Sequence, residues 1–118
     1  MADVRTITVD ELEARIETGT PAEFWNVLTD DYFTGELIPG SRRVPLDHVG
    51  HEVHDSALAQ DTEIVVYCSG PTCPQSRAAA EQLAAFGFTS VRAFEGGLEA
   101  WRNAGLPLVS AAAEPVAA

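Results

Sequence analysis

The sequence predicts an α/β domain, a small three-layer fold with a mostly parallel central sheet flanked by helices. Three observations carry this. Strand-type and helix-type segments alternate along the chain, the pattern of strand–helix–strand units. The run Ile64-Val65-Val66-Tyr67 is continuously apolar and largely β-branched, as in a strand buried on both faces. A chain of 118 residues, 46% of them hydrophobic, is long enough to close one core and no longer than one domain needs.

Taken in order, Arg5-Thr6-Ile7 reads as a short strand. Thr8 then caps a helix, with Glu11 three residues on as its capping-box partner and Leu12 and Ile16 on one face. Phe24 to Leu28 is a second strand, and Asp30-Asp31-Tyr32-Phe33 a turn or short helix. Ile38-Pro39-Gly40-Ser41 is a tight turn, and Arg42-Arg43-Val44 a short strand closed by Pro45. Asp47 to Ala59 is weakly helical. Glu63 to Tyr67 forms the central strand. Ser76 to Phe86 is a helix that buries Ala79, Leu83 and Phe86, and Gly87 stops it. Ser90 to Phe94 is a further strand. Gly96-Gly97 lets the backbone turn closely into a helix from Leu98 to Asn103 that packs Leu98 and Trp101, with Gly105 and Pro107 ending it. The domain spans 1–109, and the tail from 110 to 118 has little to bury and is expected to be disordered.

Charge removes several function classes. A formal net charge of −11 with no lysine repels phosphate backbones and anionic lipid, so no nucleic-acid or membrane partner is expected. Apolar runs fall far short of the roughly 20 residues a membrane helix needs. No basic segment followed by an apolar one opens the chain, so a cytoplasmic location is the expectation. Two cysteines make no disulfide framework, and without histidines they are too few for zinc. His48, His51 and His54 lie among Asp47, Glu52 and Asp55 and read as a solvated face, so neither metal nor cofactor is implied. Arg42 and Arg43 read as bridges between surface carboxylates, and Trp25 and Trp101 as core aromatics.

The chemistry concentrates at Tyr67-Cys68-Ser69-Gly70-Pro71-Thr72-Cys73-Pro74-Gln75-Ser76-Arg77. A strand ends on a cysteine, a Gly/Pro loop follows, and a helix begins. Cys68 therefore stands at the C-terminal edge of a strand, facing the free amides and positive dipole end of a helix. Such a place favours the thiolate, the reactive form, and marks Cys68 as a nucleophile. The hydroxyls of Ser69, Thr72 and Ser76 are donors for an anion, and Ser76 is equally suited to cap its helix. Cys73, five positions on, reads in three ways: a small buried filler, a resolving or redox partner of Cys68, or the primary nucleophile.

From about residue 5 to 109 the chain resembles the rhodanese-like domain family. The resemblance is carried by Ile7-Thr8-Val9-Asp10-Glu11-Leu12, Ile38-Pro39-Gly40-Ser41 with Val44-Pro45-Leu46, Val65-Val66-Tyr67-Cys68 and the helix from Ser76 to Leu83. Gly87-Phe88, Val91, Gly96-Gly97, Trp101, Gly105 and Pro107 complete it. The resemblance implies a sulfurtransferase. By that resemblance, Cys68 would take a sulfane sulfur from a small-molecule donor such as thiosulfate, become a persulfide, and pass the outer sulfur to a nucleophile. The expected acceptor is a thiol, either a small molecule or a protein such as thioredoxin. The loop residues Ser69, Gly70, Thr72, Gln75, Ser76 and Arg77 would then cradle the persulfide anion. A second reading on the same fold is a non-catalytic interaction or redox-sensing module that toggles a Cys68/Cys73 dithiol and disulfide.

Three departures from the family's usual pattern stand out. The loop before Ser76 is long and carries no charge, and Arg77 is the nearest cation. Asn26-Val27-Leu28 stands where Asp-x-Arg is common, and Leu37 where a histidine is common. The phosphatase pattern Cys-x5-Arg is absent, because its arginine position is Pro74.

Overall fold

The structure, a computed structural model, describes residues 4–110. Five strands form one sheet in the order β1-β6-β5-β2-β4: β1 (Arg5–Thr6), β6 (Val91–Phe94), β5 (Ile64–Tyr67), β2 (Glu23–Asn26) and β4 (Arg42–Arg43). Every pairing in it is parallel, from Arg5 opposite Arg92 at one edge to Trp25 opposite Arg42 at the other. Helices α1 (Val9–Glu17), α2 (Val49–Ser56), α3 (Gln75–Ala85) and α4 (Gly97–Asn103) supply the flanking layers. The three-layer α/β arrangement expected from the alternation is the one observed.

β5 shows why its sequence is apolar throughout. Ile64 and Val66 point into a core with Ala79, Ala80 and Leu83 of α3 and Val49 of α2. Val65 and Tyr67 point into the opposite core with Leu12 of α1 and Leu98 and Trp101 of α4. With both faces covered, alternation has no place in such a strand. At the start of α1, Thr8 Oγ1 accepts from the Glu11 amide at 3.2 Å and Glu11 Oε1 from the Thr8 amide at 2.9 Å, the capping box read from the sequence.

Elements differ from expectation where long-range contacts decide them. β3 (Glu36–Leu37) and β7 (Val109–Ser110) form a separate antiparallel ribbon, for which two-residue strands leave no local signal. Ser110, read as the start of the tail, is the last residue of that ribbon, and 111–118 lie outside the described residues. The weak helix of 47–59 resolves into a 3-10 turn (Leu46–His48) and α2. Phe86, expected in the core, is 47% exposed, because it lies beyond the last turn of α3. Its ring lies close to Gly50 of α2 instead.

The tight turn at Ile38 is held by the end of β5. The Ser41 amide donates to Ile38 O at 3.0 Å, and the Ser41 hydroxyl donates to the same oxygen at 2.6 Å. Tyr67 Oη accepts from the Ile38 amide at 3.0 Å and lies 2.6 Å from Ser41 Oγ. Since Ser41 spends its proton on Ile38 O, the phenol is the donor in that last pair. Burial pushes the Tyr67 phenol up, which keeps this proton in place.

Candidate active site

Parallel strands direct their C-terminal ends to one edge of the sheet, and ligand sites gather there. Cys68 follows β5 directly at that edge and is fully buried beside Phe94, Leu98 and Trp101. Its carbonyl and that of Ser69 accept from the Leu98 and Glu99 amides at 3.1 and 2.9 Å. The start of α4 is thus satisfied by the strand end itself. This close approach requires Gly97, whose φ is +58° and whose added Cβ would lie 2.3 Å from Cys68 O.

The chain then turns, with the Cys73 amide donating to Gly70 O at 3.0 Å. The turn brings Cys73 back onto Cys68, whose Sγ lies 3.4 Å from the Cys73 carbonyl and donates to it. Both residues are free thiols. A carbonyl at this sulfur favours the protonated thiol. Burial pushes the Cys68 thiol up, and the Cys73 side chain adds to this; the Ser76 hydroxyl and amide pull down without prevailing. The lowering expected of Cys68 falls on Cys73. There, burial is outweighed by hydrogen bonding from the Cys68 thiol, the Gln75 and Ser69 amides and the Ser69 hydroxyl. Amides read as a cradle for Cys68 therefore serve its neighbour.

Ser76 is not a cap. Pro74 holds the N-cap position of α3, and Ser76 is the second residue of the helix. Its Oγ is buried and has no hydrogen-bond partner among the described residues, and the Ser76 hydroxyl and amide both draw the Cys68 thiol pKa down. A buried hydroxyl without a partner costs stability. Here it waits beside the one group that gains from it on ionising.

The other loop residues divide. Ser69, Thr72, Cys73, Pro74 and Gln75 line a cavity of about 330 Å³, with Tyr32 as its far wall. Gly70 is buried against Glu99. Gln75 turns its amide away from the loop and clamps Thr29, accepting from its backbone N–H at 2.9 Å and donating to its Oγ1 at 3.0 Å. Arg77 does not reach the loop, because Nε pairs with Glu95 at 2.9 Å. No cation lines the cavity, and Cys73 lines it where Cys68 does not.

The sequence profile described as the rhodanese-like domain matches residues 8–104. The chain belongs to the rhodanese-like domain family. No curated protein matches its sequence. Among solved structures, the rhodanese-like domain of the Alr3790 protein of Anabaena sp. superposes with a TM-score of 0.75 at 26% identity, covering 98% of this chain and 87% of that one. A thiosulfate sulfurtransferase of Pseudomonas aeruginosa gives 0.78 at 24% identity, over 92% of this chain and 20% of that one. The human single-domain sulfurtransferase TSTD1 gives 0.69 at 18%, over 86% and 97%. At these identities the last two likenesses establish the fold.

Where this rhodanese-like domain departs from the usual pattern, the structure supplies substitutes. Asn26 is fully buried, and its Oδ1 accepts from the Leu28 amide at 3.1 Å and Arg43 Nη1 at 3.3 Å. Arg43 also pairs with Asp30 at 2.7 Å and lies over the Phe33 ring at 3.9 Å. Together they fasten the segment that presents Tyr32. Arg42 bridges Glu23 and Glu52, both at 2.8 Å, as read from the sequence. Trp25 and Trp101 are core residues. Tyr32 and Thr29 were not read as site residues; turn chemistry at Asp30-Asp31 signals the bend but not what it faces. Among the described residues, the histidines form no cluster with other metal-ligating groups, and no helix is long and apolar enough to cross a membrane.

Proposed function

We propose that this rhodanese-like domain is a sulfurtransferase working through a Cys68 persulfide. The observation that supports the reading is the place of Cys68, buried at the C-terminal end of β5, with a buried Ser76 hydroxyl in the first turn of α3 that has no other hydrogen-bond partner among the described residues and favours the Cys68 anion. A hydrogen-bond donor with no other task stabilises a sulfur anion there, whether thiolate or persulfide. Once the Cys68 proton is lost, its thiolate attacks the sulfane sulfur of a donor. The donor's S–S bond breaks, its remaining fragment leaves with the electron pair (sulfite, if the donor is thiosulfate), and the persulfide remains. An acceptor thiolate then takes the outer sulfur. The cavity lined by Cys73 and Tyr32 is the approach route for donor and acceptor. The acceptor is a small-molecule thiol or a protein such as thioredoxin, and the net charge of −11 favours one with a neutral or basic face.

The contact between Cys68 Sγ and the Cys73 backbone also supports a second reading, a redox-sensing or interaction module that cycles a dithiol and a disulfide without sulfur transfer. Intact-mass measurement separates the two. Reduced wild type, Cys73→Ser and Cys68→Ser are exposed to thiosulfate or polysulfide and read without reductant. A one-sulfur adduct on wild type or Cys73→Ser that is missing from Cys68→Ser upholds the persulfide. Equal sulfur uptake by Cys68→Ser, or no adduct on any of the three, defeats it.

A further inference from the structure

Cys73 has a place in the reaction that the family's usual single-cysteine scheme does not assign. Four observations converge on it. Its backbone is in contact with the Cys68 sulfur at 3.4 Å. Its side chain lines the 330 Å³ cavity, whereas Cys68 is fully buried. The Ser69 and Gln75 amides and the Ser69 hydroxyl hold its sulfur as the more acidic of the two. The loop around it carries no cation to prolong the life of a persulfide anion, since Arg77 is spent on Glu95.

We propose that Cys73 resolves the Cys68 persulfide, so that the protein releases its sulfur as hydrosulfide and consumes a dithiol as second substrate. This rests on the Cys68 reading above. In the step, the Cys73 thiolate attacks Cys68 Sγ, a Cys68–Cys73 disulfide forms, the bond to the outer sulfur breaks, and that sulfur leaves as HS⁻ with the electron pair. The donor's sulfane sulfur is reduced by two electrons, and the two cysteines are oxidised to the disulfide.

Two sulfurs are open to attack, and leaving-group chemistry chooses between them. Attack on the outer sulfur must expel the Cys68 thiolate, which its buried site disfavours. Attack on Sγ expels hydrosulfide, the anion of a stronger acid, and the better leaving group departs faster. The Cys73 backbone already meets Cys68 Sγ at 3.4 Å, and closing the bond asks the Cys73 side chain to turn onto that sulfur within a loop whose Pro71 and Pro74 have no N–H to anchor it.

Regeneration calls for a dithiol. An external thiolate attacks the solvent-facing Cys73 sulfur and frees Cys68. Held against Cys73, the Cys68 thiolate would expel a monothiol again. A dithiol instead closes its own disulfide, leaving both cysteines reduced.

The test follows mass and sulfide together. Fully reduced wild type, Cys73→Ser and Cys68→Ser each receive thiosulfate in one arm and inorganic polysulfide in another. Sulfide is counted above the Cys68→Ser background in the thiosulfate arm, where the donor's own leaving group is sulfite; the polysulfide arm, whose donor sheds sulfide in the first step, is read by mass alone. The expected wild-type product has lost two hydrogens and released one sulfide per chain. Cys73→Ser stops at the mass of one added sulfur, with sulfide down about tenfold or more. Turnover of wild type should continue with dithiothreitol and fall about tenfold with an equivalent monothiol. A wild-type sulfur adduct as lasting as that of Cys73→Ser overturns the proposal and leaves the Cys68 persulfide intact. Sulfide released equally by Cys73→Ser also overturns it. No adduct and no sulfide in any form overturns both.

Discussion

The two ends of the loop after β5 carry the same functional group in opposite circumstances. At the Cys68 end, main-chain carbonyls are tied to α4 through Leu98 and Glu99, and Gly97 presses against the strand end. At the Cys73 end, Pro71, Thr72 and Pro74 are exposed, and the main chain is held by the turn bond from Cys73 to Gly70, by the Cys68 thiol on the Cys73 carbonyl and by the Ala78 amide on the Pro74 carbonyl. The first thiol is fully buried and the less acidic; the second is half-buried at the cavity and the more acidic. A buried thiol suits storage of a reactive sulfur away from water. One at the cavity wall suits delivery or release. The division arises from which half of the loop a helix needs for its own N-terminus.

The strongest way to break this contrast is Gly97→Ala. A β-carbon there meets the Cys68 carbonyl at 2.3 Å on a backbone with φ +58°, so the Cys68 end must move. The expected cost is about 3 kcal/mol, read as a lower midpoint of urea unfolding. Sulfur uptake by whatever remains folded should fall as well, because Cys68 loses its register against Ser76. A variant as stable and active as wild type would show that α4 does not hold the strand end.

A second prediction sharpens the contrast by pH. A thiol reacts as its thiolate, so the group lowered from its ordinary value carries the larger thiolate fraction at neutral pH, and the group raised carries the smaller. In the reduced protein, iodoacetamide near pH 7 should therefore label Cys73 faster than Cys68 by about tenfold or more. Cys68 labelling should grow only as pH rises beyond the ordinary thiol range. Peptide mapping after short exposures reads this directly. Preferential labelling of Cys68 would reverse the assignment of the two roles.

How much of this was legible in the sequence follows the same division. The strand ending on Cys68, the helix after it and the Gly96-Gly97 turn rest on local patterns: a β-branched run, helical spacing, paired glycines. The parallel sheet followed from alternation, and the family from the order of short motifs. What the sequence could not disclose depends on contacts between distant segments. The ribbon of Glu36–Leu37 with Val109–Ser110 joins residues far apart in the chain. Gln75, read as an anion ligand, is engaged by Thr29, and Arg77 by Glu95. The pKa order of the two cysteines was inverted for the same reason. A helix N-terminus lowers a thiol pKa in general, but burial by Phe94, Leu98 and Trp101 raises this one, and only the folded core supplies that burial.

Ser76→Ala gives the smallest and most discriminating effect. Its hydroxyl is buried without a partner, so removal should leave stability unchanged or raise it by about 0.5 kcal/mol, since an unsatisfied polar atom is lost. The same change removes a donor that favours the Cys68 anion. Sulfur uptake at Cys68 should slow roughly fivefold, and the pH at which Cys68 begins to react with iodoacetamide should rise. Cys73 labelling, which depends on the Ser69 and Gln75 amides, should stay as it was. Stability and reactivity moving apart at one atom marks a group kept for chemistry at a cost to the fold. If Ser76→Ala destabilises the protein and leaves both labelling rates unchanged, Ser76 serves packing, and the Cys68 site loses its anion donor.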